Sequence, residues 1–273
     1  MQHWHTQMGK VIVITGASSG FGRAAAEALA SRGHRVFGIS RRPVSSDGIS
    51  FIPGDVRDFD AMQDAVRQII GSEGRIDVLI NNAGMGIGGA LEMATTEEIN
   101  LQMETNFMGC VNLCRAVLPC MRSQRSGRII NISSIGGLMG LPYQGYYSAS
   151  KFAIEGFSEA LSAEVGRFGI SVSIVEPGDF ATGFTAGRLN SAATLEDRDY
   201  GPVFRQSLNI IEKEENGGLN PQKLADRIVG IVECRRPRLR YVVADFEQTA
   251  SVILKRLLPS GLFRNILRKY YKS

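Results

Sequence analysis

The sequence predicts a single doubly wound α/β domain, in which helices cover both faces of a parallel β-sheet. Short β-branched strands alternate with helical stretches along most of the 273 residues. The strands are apolar throughout, as in parallel sheets that are buried on both faces. Neither an internal repeat nor a linker divides the chain, and its length fits one large domain.

The individual elements follow from this alternation. Seven strands are predicted, at 10–15, 35–40, 49–55, 76–82, 128–133, 170–177 and 240–245. An Ala-rich helix follows the first strand and is closed by Gly33, a residue type favoured at helix C-termini. Further helices are expected at 58–71, 96–122 and 147–168. Residues 1–9 are expected to form a flexible extension before a catalytic domain at 10–247.

The segment 178–220 interrupts the alternation, because it is polar and glycine-containing and lacks a clear period. It follows the carboxyl end of the sixth strand, where folds of this class place substrate lids. We expect a mobile lid that orders over the substrate, and an ordinary surface loop is the alternative.

Composition and cysteine usage are those of an ordinary globular enzyme, with 44% hydrophobic and 21% charged residues. Cys110, Cys114, Cys120 and Cys234 have no metal-finger spacing, so we expect small buried thiols and no metal site. The N-terminus lacks a signal-peptide pattern, and no apolar run approaches the roughly 18 residues of a membrane span. A reduced cytoplasmic setting is expected.

The C-terminal tail, residues 248–273, accounts for the formal net charge of +4, because it has six basic residues and no acidic one. Apolar residues recur on one helical face of this tail beside the basic ones: Leu262, Phe263, Ile266, Leu267, Tyr270 and Tyr271. Basic amphipathic helices can lie on anionic membranes. Packing of this face on the domain or on a second subunit is the alternative that we favour. Nucleic-acid binding gains no support beyond the same charges.

The loop Gly16-Ala17-Ser18-Ser19-Gly20 supports two interpretations. It fits the G-x-S-x-G elbow of serine hydrolases, with Ser18 as the nucleophile. With Gly22 it also fits a strand-to-helix turn that cradles a dinucleotide pyrophosphate. The hydrolase needs a histidine base that follows the serine in the chain. His3 and His5 precede Ser18, and His34 begins the second strand far from the loop, so we retain the phosphate interpretation.

The end of the second strand predicts the cofactor. An acid at this position would bind the ribose 2′-hydroxyl of NAD, and a basic residue would accommodate the 2′-phosphate of NADP. No acid lies between His34 and Ser46, and the strand runs into Ser40-Arg41-Arg42. Arginine suits a phosphate in both charge and geometry. We therefore predict NADP(H), with Arg41 contributing more than Arg42.

The residues that can carry chemistry lie in the middle of the chain. Tyr147 and Lys151 are four residues apart, which places both on one face of a helix. A neighbouring ammonium favours the phenolate and lowers the pKa of a tyrosine, so Tyr147 is a candidate general acid/base. Ser134, at the end of a strand, adds a hydroxyl that could hold a substrate oxygen.

Together these motifs resemble the short-chain dehydrogenase/reductase family over residues 10 to about 245. The resemblance rests on Thr15, on Gly16, Gly20 and Gly22, on Asn81-Asn82-Ala83-Gly84, and on Asn106, Ser134, Tyr147, Lys151 and Pro177-Gly178. It implies a Rossmann-type fold with a seven-stranded sheet, and hydride transfer between a nicotinamide and a carbonyl/alcohol pair. A homodimer or homotetramer is typical of the family, with the helices 96–122 and 147–168 at the interface.

The resemblance also implies roles for single residues. Tyr147 would be the proton donor or acceptor, Lys151 would lower its pKa and hold the nicotinamide ribose, and Ser134 would orient the substrate. Asn106 would help to hold a water of the proton relay, Asp55-Val56 would contact adenine, and Thr182 would contact the carboxamide. The full cofactor-binding set is Thr15, Gly16, Ser18, Ser19, Gly20, Phe21, Gly22, Ser40, Arg41, Arg42, Asp55, Val56, Asn82, Ala83, Gly84, Tyr147, Lys151, Pro177, Gly178 and Thr182.

The stretch from Ser134 through the helix of Tyr147 is similar to the 17β-hydroxysteroid and retinol dehydrogenase branch. Five residues of this stretch would form an apolar wall of the pocket: Leu138, Met139, Leu141, Pro142 and Tyr143. Such a wall suits a hydrophobic carbonyl or alcohol substrate, steroid-, retinoid- or lipid-like. A regulatory NADP(H)-binding protein of the same fold is the alternative, but such proteins typically lack one of the three catalytic residue types, and all are present here.

Overall fold

A seven-stranded parallel sheet lies at the centre of the structure, a computed structural model that describes residues 9–42 and 44–272. The strand order is β3-β2-β1-β4-β6-β7-β9, and each neighbouring pair is parallel. These strands are β1 (Val11–Thr15), β2 (Arg35–Ser40), β3 (Ile49–Pro53), β4 (Val78–Asn81), β6 (Gly127–Ile132), β7 (Ile170–Pro177) and β9 (Arg240–Val243). The doubly wound, Rossmann-type sheet expected from the sequence is confirmed.

Helices cover both faces of the sheet. The helices are α1 (Gly20–Ala30), α2 (Phe59–Glu73), α3 (Thr96–Met103), α4 (Gly109–Gln124), α5 (Gly145–Val165), α6 (Phe184–Gly187), α7 (Ala192–Glu196), α8 (Tyr200–Asn216), α9 (Pro221–Glu233), α10 (Phe246–Leu257) and α11 (Ser260–Tyr270). One core joins the sheet to α2, α4 and α5, and a second joins its other face to α1 and α9. Both cores consist of large apolar side chains, so burial on the two faces holds the sheet in place.

The sheet reverses its direction of growth between β1 and β4, because the chain passes from β1 to β2 and β3 on one side and returns to β4 on the other. Open α/β sheets bind ligands in the crevice beyond the carboxyl ends of the strands at such a point. Two of the predicted site segments, the glycine loop after β1 and Asn82-Ala83-Gly84 after β4, begin at this crevice.

The segment 178–220 is largely helical, so the expectation of irregular structure was wrong. It holds α6, α7 and α8, together with a short strand β8 (Leu189–Asn190) that pairs with β5 (Ile87–Gly88). Phe180, Phe204 and Ile211 of this segment are buried, so it has apolar anchors of its own. Whether the segment moves as a lid remains a proposal.

The brief third strand, Ile49–Pro53, lies within the predicted stretch 49–55. The helix expected over 96–122 is divided, because a π-helical turn over Glu104–Met108 separates α3 from α4. A π-turn adds one residue to the helical repeat and is frequent at functional sites. The predicted N-terminal extension falls mainly on residues 1–8, which lie outside the described residues.

The C-terminal tail forms two helices, α10 and α11, of which α10 begins at Phe246. Val252 and Phe263 pack on Ile135 and Met139, so part of the apolar face does cover the domain. Leu262, Ile266 and Tyr270 are exposed, so the single packed face expected from the sequence is only partly buried. Within the described residues, none of the helices has the length and apolarity to cross a bilayer.

Candidate active site

The glycine loop after β1 leaves the N-terminal end of α1 open. Gly16 and Gly20 have φ values of +67° and +52°, which other residues rarely adopt. A Cβ on Gly22 would lie 2.3 Å from the Gly16 carbonyl oxygen, so the loop packs tightly on itself there. Ser19, the N-cap, makes no side-chain capping bond among the described residues. The first backbone N–H groups of α1 are therefore available to an anion at the positive end of the helix.

Thr15 joins this loop to the end of β4. Its buried hydroxyl accepts hydrogen bonds from the backbone N–H groups of Asn82 and Ala83, both at 3.0 Å. The Asn82 amide donates in return to the Thr15 carbonyl at 3.0 Å. Gly84 faces the interior of the site, since a Cβ there would lie 3.7 Å from the Lys151 Nζ. The structure thus brings together the backbone segments after β1 and β4 that are predicted to form the floor of the cofactor site.

The arginines that follow β2 are both exposed, while Ser40 is buried and donates to the Arg42 carbonyl at 2.7 Å. Arg41 lies near enough to Asp55 for its charge to contribute to a lowered Asp55 pKa, although the hydrogen bonds from Arg57 are the main cause. The Asp55 carboxylate holds the Arg57 guanidinium, with an Nη2–Oδ2 distance of 2.7 Å. The cations at this strand end therefore face an open surface.

Asn106 lies in the π-turn, and its side chain is fully engaged. Its Oδ1 accepts from the Met85 N–H at 2.8 Å, and its Nδ2 donates to the Met85 carbonyl and to Ser150 Oγ, both at 3.0 Å. The residue therefore fixes the chain after β4 against α5. Its predicted role with a relay water is not visible in these contacts and stays a prediction.

Ser134 and Tyr147 meet at the carboxyl end of β6. Ser134 Oγ accepts from the Gly136 N–H at 3.0 Å. A Cβ on Gly136 would lie 3.3 Å from the Tyr147 ring and 3.4 Å from Ser134 Oγ, so the two side chains are neighbours. Lys151 lies one turn further along α5, and its Nζ donates to the Ile132 carbonyl at 2.9 Å. The three residues that the sequence singled out are therefore adjacent.

The titration of Tyr147 and Lys151 depends mainly on burial. Burial raises the pKa of the Tyr147 phenol to about 12, which a hydrogen bond with Ser134 opposes. Burial also lowers the pKa of the Lys151 ammonium to about 8. The Lys151 Nζ lies 5.7 Å from the centre of the Tyr147 ring and is bound to a carbonyl. Burial is therefore the main influence on the Tyr147 pKa in this arrangement, and the predicted lowering of that pKa by Lys151 stays a prediction.

A cavity of about 720 Å³ adjoins these residues and continues to the glycine-loop side of the crevice. Met139 and Leu141 of the predicted apolar wall line it, whereas Leu138 packs beneath α10 and α11, and Tyr143 packs on Phe204. Pro142 does not line it either. From the segment 178–220, Phe184 packs against Tyr147, with a distance of 5.9 Å between the two ring centres.

Sequence reasoning missed two groups of residues that line this cavity. The first is acidic: burial raises the pKa of Asp179 to about 6 and that of Glu214 to about 7. The second comes from the tail, in which Leu254, Ile266 and Tyr270 reach the cavity. Asp179 stands directly after Pro177-Gly178, so its position in the chain was the one available signal.

These features fit a dinucleotide. A Cβ on Gly20 would meet nothing nearer than Thr182, at 3.9 Å, so a gap remains between the end of α1 and the lid segment. The cavity wall includes Asn82 and Gly84 on this side and Tyr147 and Lys151 on the other. The N-terminal end of α1, the loop after β4 and the candidate catalytic side chains thus lie along one cleft.

Comparisons with known proteins agree with this geometry. The chain is 53% identical to the 3-ketodihydrosphingosine reductase of Bacteroides thetaiotaomicron, over 96% of this chain and 98% of that protein. It is 39% identical to retinol dehydrogenase 8 of Bos taurus, over 69% of this chain and 62% of that one. It is 32% identical to human 17-beta-hydroxysteroid dehydrogenase type 1, over 86% of this chain and 77% of that one. The predicted similarity to the hydroxysteroid and retinol dehydrogenase branch is confirmed.

Solved structures show the same fold. A short-chain dehydrogenase from Streptomyces avermitilis superposes with a TM-score of 0.81 at 33% identity, over 97% of this chain and 98% of that one. A Burkholderia phymatum short-chain dehydrogenase/reductase in complex with NAD gives 0.77 at 27% identity, over 91% and 93% of the two chains. ElxO with NADP bound gives 0.70 at 27%, over 87% and 96%. A family model described as short chain dehydrogenase matches residues 10–192. The chain is an oxidoreductase that belongs to the short-chain dehydrogenase/reductase family.

Proposed function

We propose that this protein is an NADP(H)-dependent reductase of a hydrophobic, long-chain ketone, of the class that 3-ketodihydrosphingosine represents. The observation that carries the proposal is the cavity itself, which joins Ser134, Tyr147 and Lys151 to an apolar wall and to two carboxylic acids. Support for the substrate class comes from the relative that is 53% identical over nearly the whole chain.

Tyr147 supplies the proton in this mechanism. When bound, the nicotinamide supplies the hydride that reduces the carbonyl carbon. Ser134 donates a hydrogen bond to the carbonyl oxygen and holds it beside the Tyr147 phenol, which protonates that oxygen as the alcohol forms. A tyrosine phenol is protonated at neutral pH, and burial, which raises the pKa of Tyr147, favours the same form, which is the one that a reductase needs. With the cofactor bound, Lys151 would hold the nicotinamide ribose, and its ammonium would be the source of the proton that restores the Tyr147 phenol after the alcohol has formed.

The preference for NADP(H) is supported by Arg41 and Arg42. Both side chains are exposed at the end of β2, where a ribose 2′-phosphate would lie. The Asp55 carboxylate pairs with Arg57, which offsets its negative charge near this strand end. A guanidinium at this position favours the dianion over the hydroxyl.

The substrate class is supported by the mixed character of the cavity. Met139, Leu141 and Phe184 offer apolar surface, while Asp179 and Glu214 introduce acidic groups. A long-chain 2-amino ketone matches both, because it has an alkyl chain and an ammonium group next to its carbonyl. Burial and the neighbouring acids raise the pKa values of Asp179 and Glu214, and a substrate ammonium beside them would oppose this shift.

A ketone panel tests the proposal. NADPH oxidation is followed with 3-ketodihydrosphingosine, with the same long-chain ketone lacking the amino group, and with a short-chain amino ketone. We expect the highest kcat/KM for the first compound. Equal efficiency with all three would contradict the substrate class. Cofactor binding without turnover of any ketone, steroids and retinoids included, would favour the regulatory alternative.

Further features stand as part of this proposal. The segment 178–220 is a lid that orders over cofactor and substrate, since Phe184 packs against Tyr147. The protein is a homodimer or homotetramer in a reducing cytoplasm, where its four thiols stay free. Hydrogen exchange with and without NADPH and ketone tests the lid, and equal exchange in 178–220 in the two states would contradict it.

A further inference from the structure

The two C-terminal helices carry an unusual concentration of exposed apolar side chains. Of the twelve large apolar side chains that are exposed among the described residues, seven lie on α10 and α11: Phe246, Ile253, Leu254, Leu257, Leu262, Ile266 and Tyr270. Phe246 is 87% exposed and Leu257 is 74% exposed. Large exposed apolar patches on a protein surface mark sites of interaction with proteins, membranes or ligands. We call this surface, formed by α10 and α11, the tail surface.

The tail surface is held in a fixed orientation. Val252 and Phe263 are buried against Ile135 and Met139, so the inner side of the two helices is committed to the domain. The Tyr271 carbonyl accepts a hydrogen bond from the Ser207 hydroxyl at 2.5 Å, which ties the end of α11 to α8. The exposed apolar side chains are therefore the outer side of helices that are already docked.

Basic residues accompany these side chains. Five basic side chains of the tail are exposed: Arg256, Arg264, Arg268, Lys269 and Lys272. The acids of this region, Asp245 and Glu247, precede the basic segment, and none lies between Gln248 and Ser273. A second copy of the chain docked face to face would bring these cations opposite one another, which disfavours self-association here. An anionic surface complements them.

The tail surface is continuous with the entrance of the active-site cavity. Leu254, Ile266 and Tyr270 are exposed and also line the cavity. These three side chains therefore form one part of the exposed rim of the cavity, beside Lys213, Asp245 and Glu247, which are exposed and line it as well. A hydrophobic molecule leaving this rim would meet the exposed apolar residues first.

We propose that the tail surface docks on an anionic lipid bilayer, with the mouth of the cavity facing the lipid. The apolar side chains enter the headgroup region while the basic ones bind anionic headgroups, as in other interfacial helices. The docking rests on the tail alone. The consequence that a long-chain ketone enters the cavity from the bilayer rests also on the proposed function.

Cosedimentation of the full chain with vesicles tests the docking. The vesicles are phosphatidylcholine alone and phosphatidylcholine with about one third phosphatidylglycerol. We expect binding to the mixed vesicles that weakens as salt is raised. Arg264→Gln with Lys269→Gln should weaken it by about 25-fold, because each basic residue near an anionic surface contributes about fivefold. Lys223→Gln with Arg227→Gln, exposed positions on α9, is the matched control and should bind as the wild type does.

A second pair of variants tests the apolar contribution. Leu257→Gln with Leu262→Gln should weaken binding at least about tenfold, because two leucine side chains no longer enter the apolar part of the bilayer. None of these tail substitutions lines the cavity. NADPH oxidation with a water-soluble ketone should therefore be unchanged in every variant, which also confirms that each one folds.

Three results would overturn the docking proposal. One is equal binding to both kinds of vesicle, and another is a control pair that weakens binding as much as the tail pair does. The third combines two observations: the wild type does not bind vesicles, and it forms a dimer in sedimentation velocity that is lost in the Leu257→Gln, Leu262→Gln variant. A protein that binds vesicles but reduces no ketone would contradict the proposed function and leave the docking intact.

Discussion

Replacing Arg188 tests whether the segment 178–220 is held together as one unit. Arg188 lies between α6 and β8, and its Nη2 pairs with the Glu215 carboxylate near the end of α8. The two side chains are only 2% and 10% exposed. Thr185 Oγ1 donates to the second Glu215 oxygen at 2.7 Å. The ion pair therefore joins the beginning of the proposed lid to its end.

The magnitude follows from this burial. Arg188→Met leaves the Glu215 carboxylate buried with the Thr185 hydroxyl as its partner, and such a loss costs about 3–5 kcal/mol. The guanidinium Nε and Nη1 are buried with no hydrogen-bond partner among the described residues, so the pair is only partly satisfied. Replacing both residues by methionine should therefore recover at least half of the loss.

Amide hydrogen exchange is the assay, because it reports local opening separately from global unfolding. In Arg188→Met, exchange in residues 184–216 should accelerate about a hundredfold or more, while the strands of the sheet stay protected. Arg205→Met is the matched control, since Arg205 is exposed on α8 and donates to the Leu195 carbonyl. Two results together would refute the reasoning. One is equal exchange in Arg188→Met and Arg205→Met, and the other is a coupling energy below about 0.5 kcal/mol between Arg188 and Glu215 in the cycle of methionine variants.

Three further predictions concern the site. Ser40→Asp with Arg41→Ala should reverse a preference for NADPH of about ten- to a hundredfold, measured as the ratio of kcat/KM values; a wild-type ratio that favours NADH would contradict the cofactor proposal. Ser18→Ala should weaken NADPH binding modestly at most, and lost turnover at unchanged cofactor affinity would revive the nucleophile interpretation. Asp179 ionises as the pH rises through about 6, so KM for an amino ketone should fall across this range, while KM for the ketone without the amino group stays flat. Asp179→Asn should remove that difference, and an unchanged KM profile would show that the acid does not face the substrate.

The strands of the sheet and the positions of the candidate catalytic side chains could be predicted because their signals are local. Buried strands such as Val11–Thr15 are apolar at every position, and Tyr147 and Lys151 are fixed on one helix face by a spacing of four. The π-turn that carries Asn106 could not be predicted, because one extra residue hardly changes an apolar period of 3.6.

The helices of the segment 178–220 could not be predicted from the sequence for a different reason. The buried face of α8 consists of Gly201, Phe204, Ser207, Ile211 and Glu215, and three of these five are not hydrophobic. Ser207 and Glu215 are buried because partners distant in the chain satisfy them. Hydrophobic periodicity cannot report such partners. For the same reason, the sequence did not show that Asp179 and Glu214 line the cavity.

The pKa of Tyr147 shows where sequence reasoning about chemistry ends. The motif indicated that an ammonium one turn away would lower this pKa, which is correct for two charges in contact. Burial raises the pKa, and burial is a property of the surrounding fold that a spacing of four residues does not report.

The central claim is that Tyr147 protonates the substrate carbonyl during an NADPH-dependent reduction. Its most direct test compares wild type with Tyr147→Phe, measuring NADPH oxidation with 3-ketodihydrosphingosine and, separately, NADPH affinity by fluorescence. A phenyl ring nearly preserves the shape of the residue and removes the proton, so affinity should stay within about twofold while turnover falls by about 10²–10⁴-fold. Turnover within a few fold of wild type, at unchanged NADPH affinity, would contradict the claim, because the proton would then come from another group.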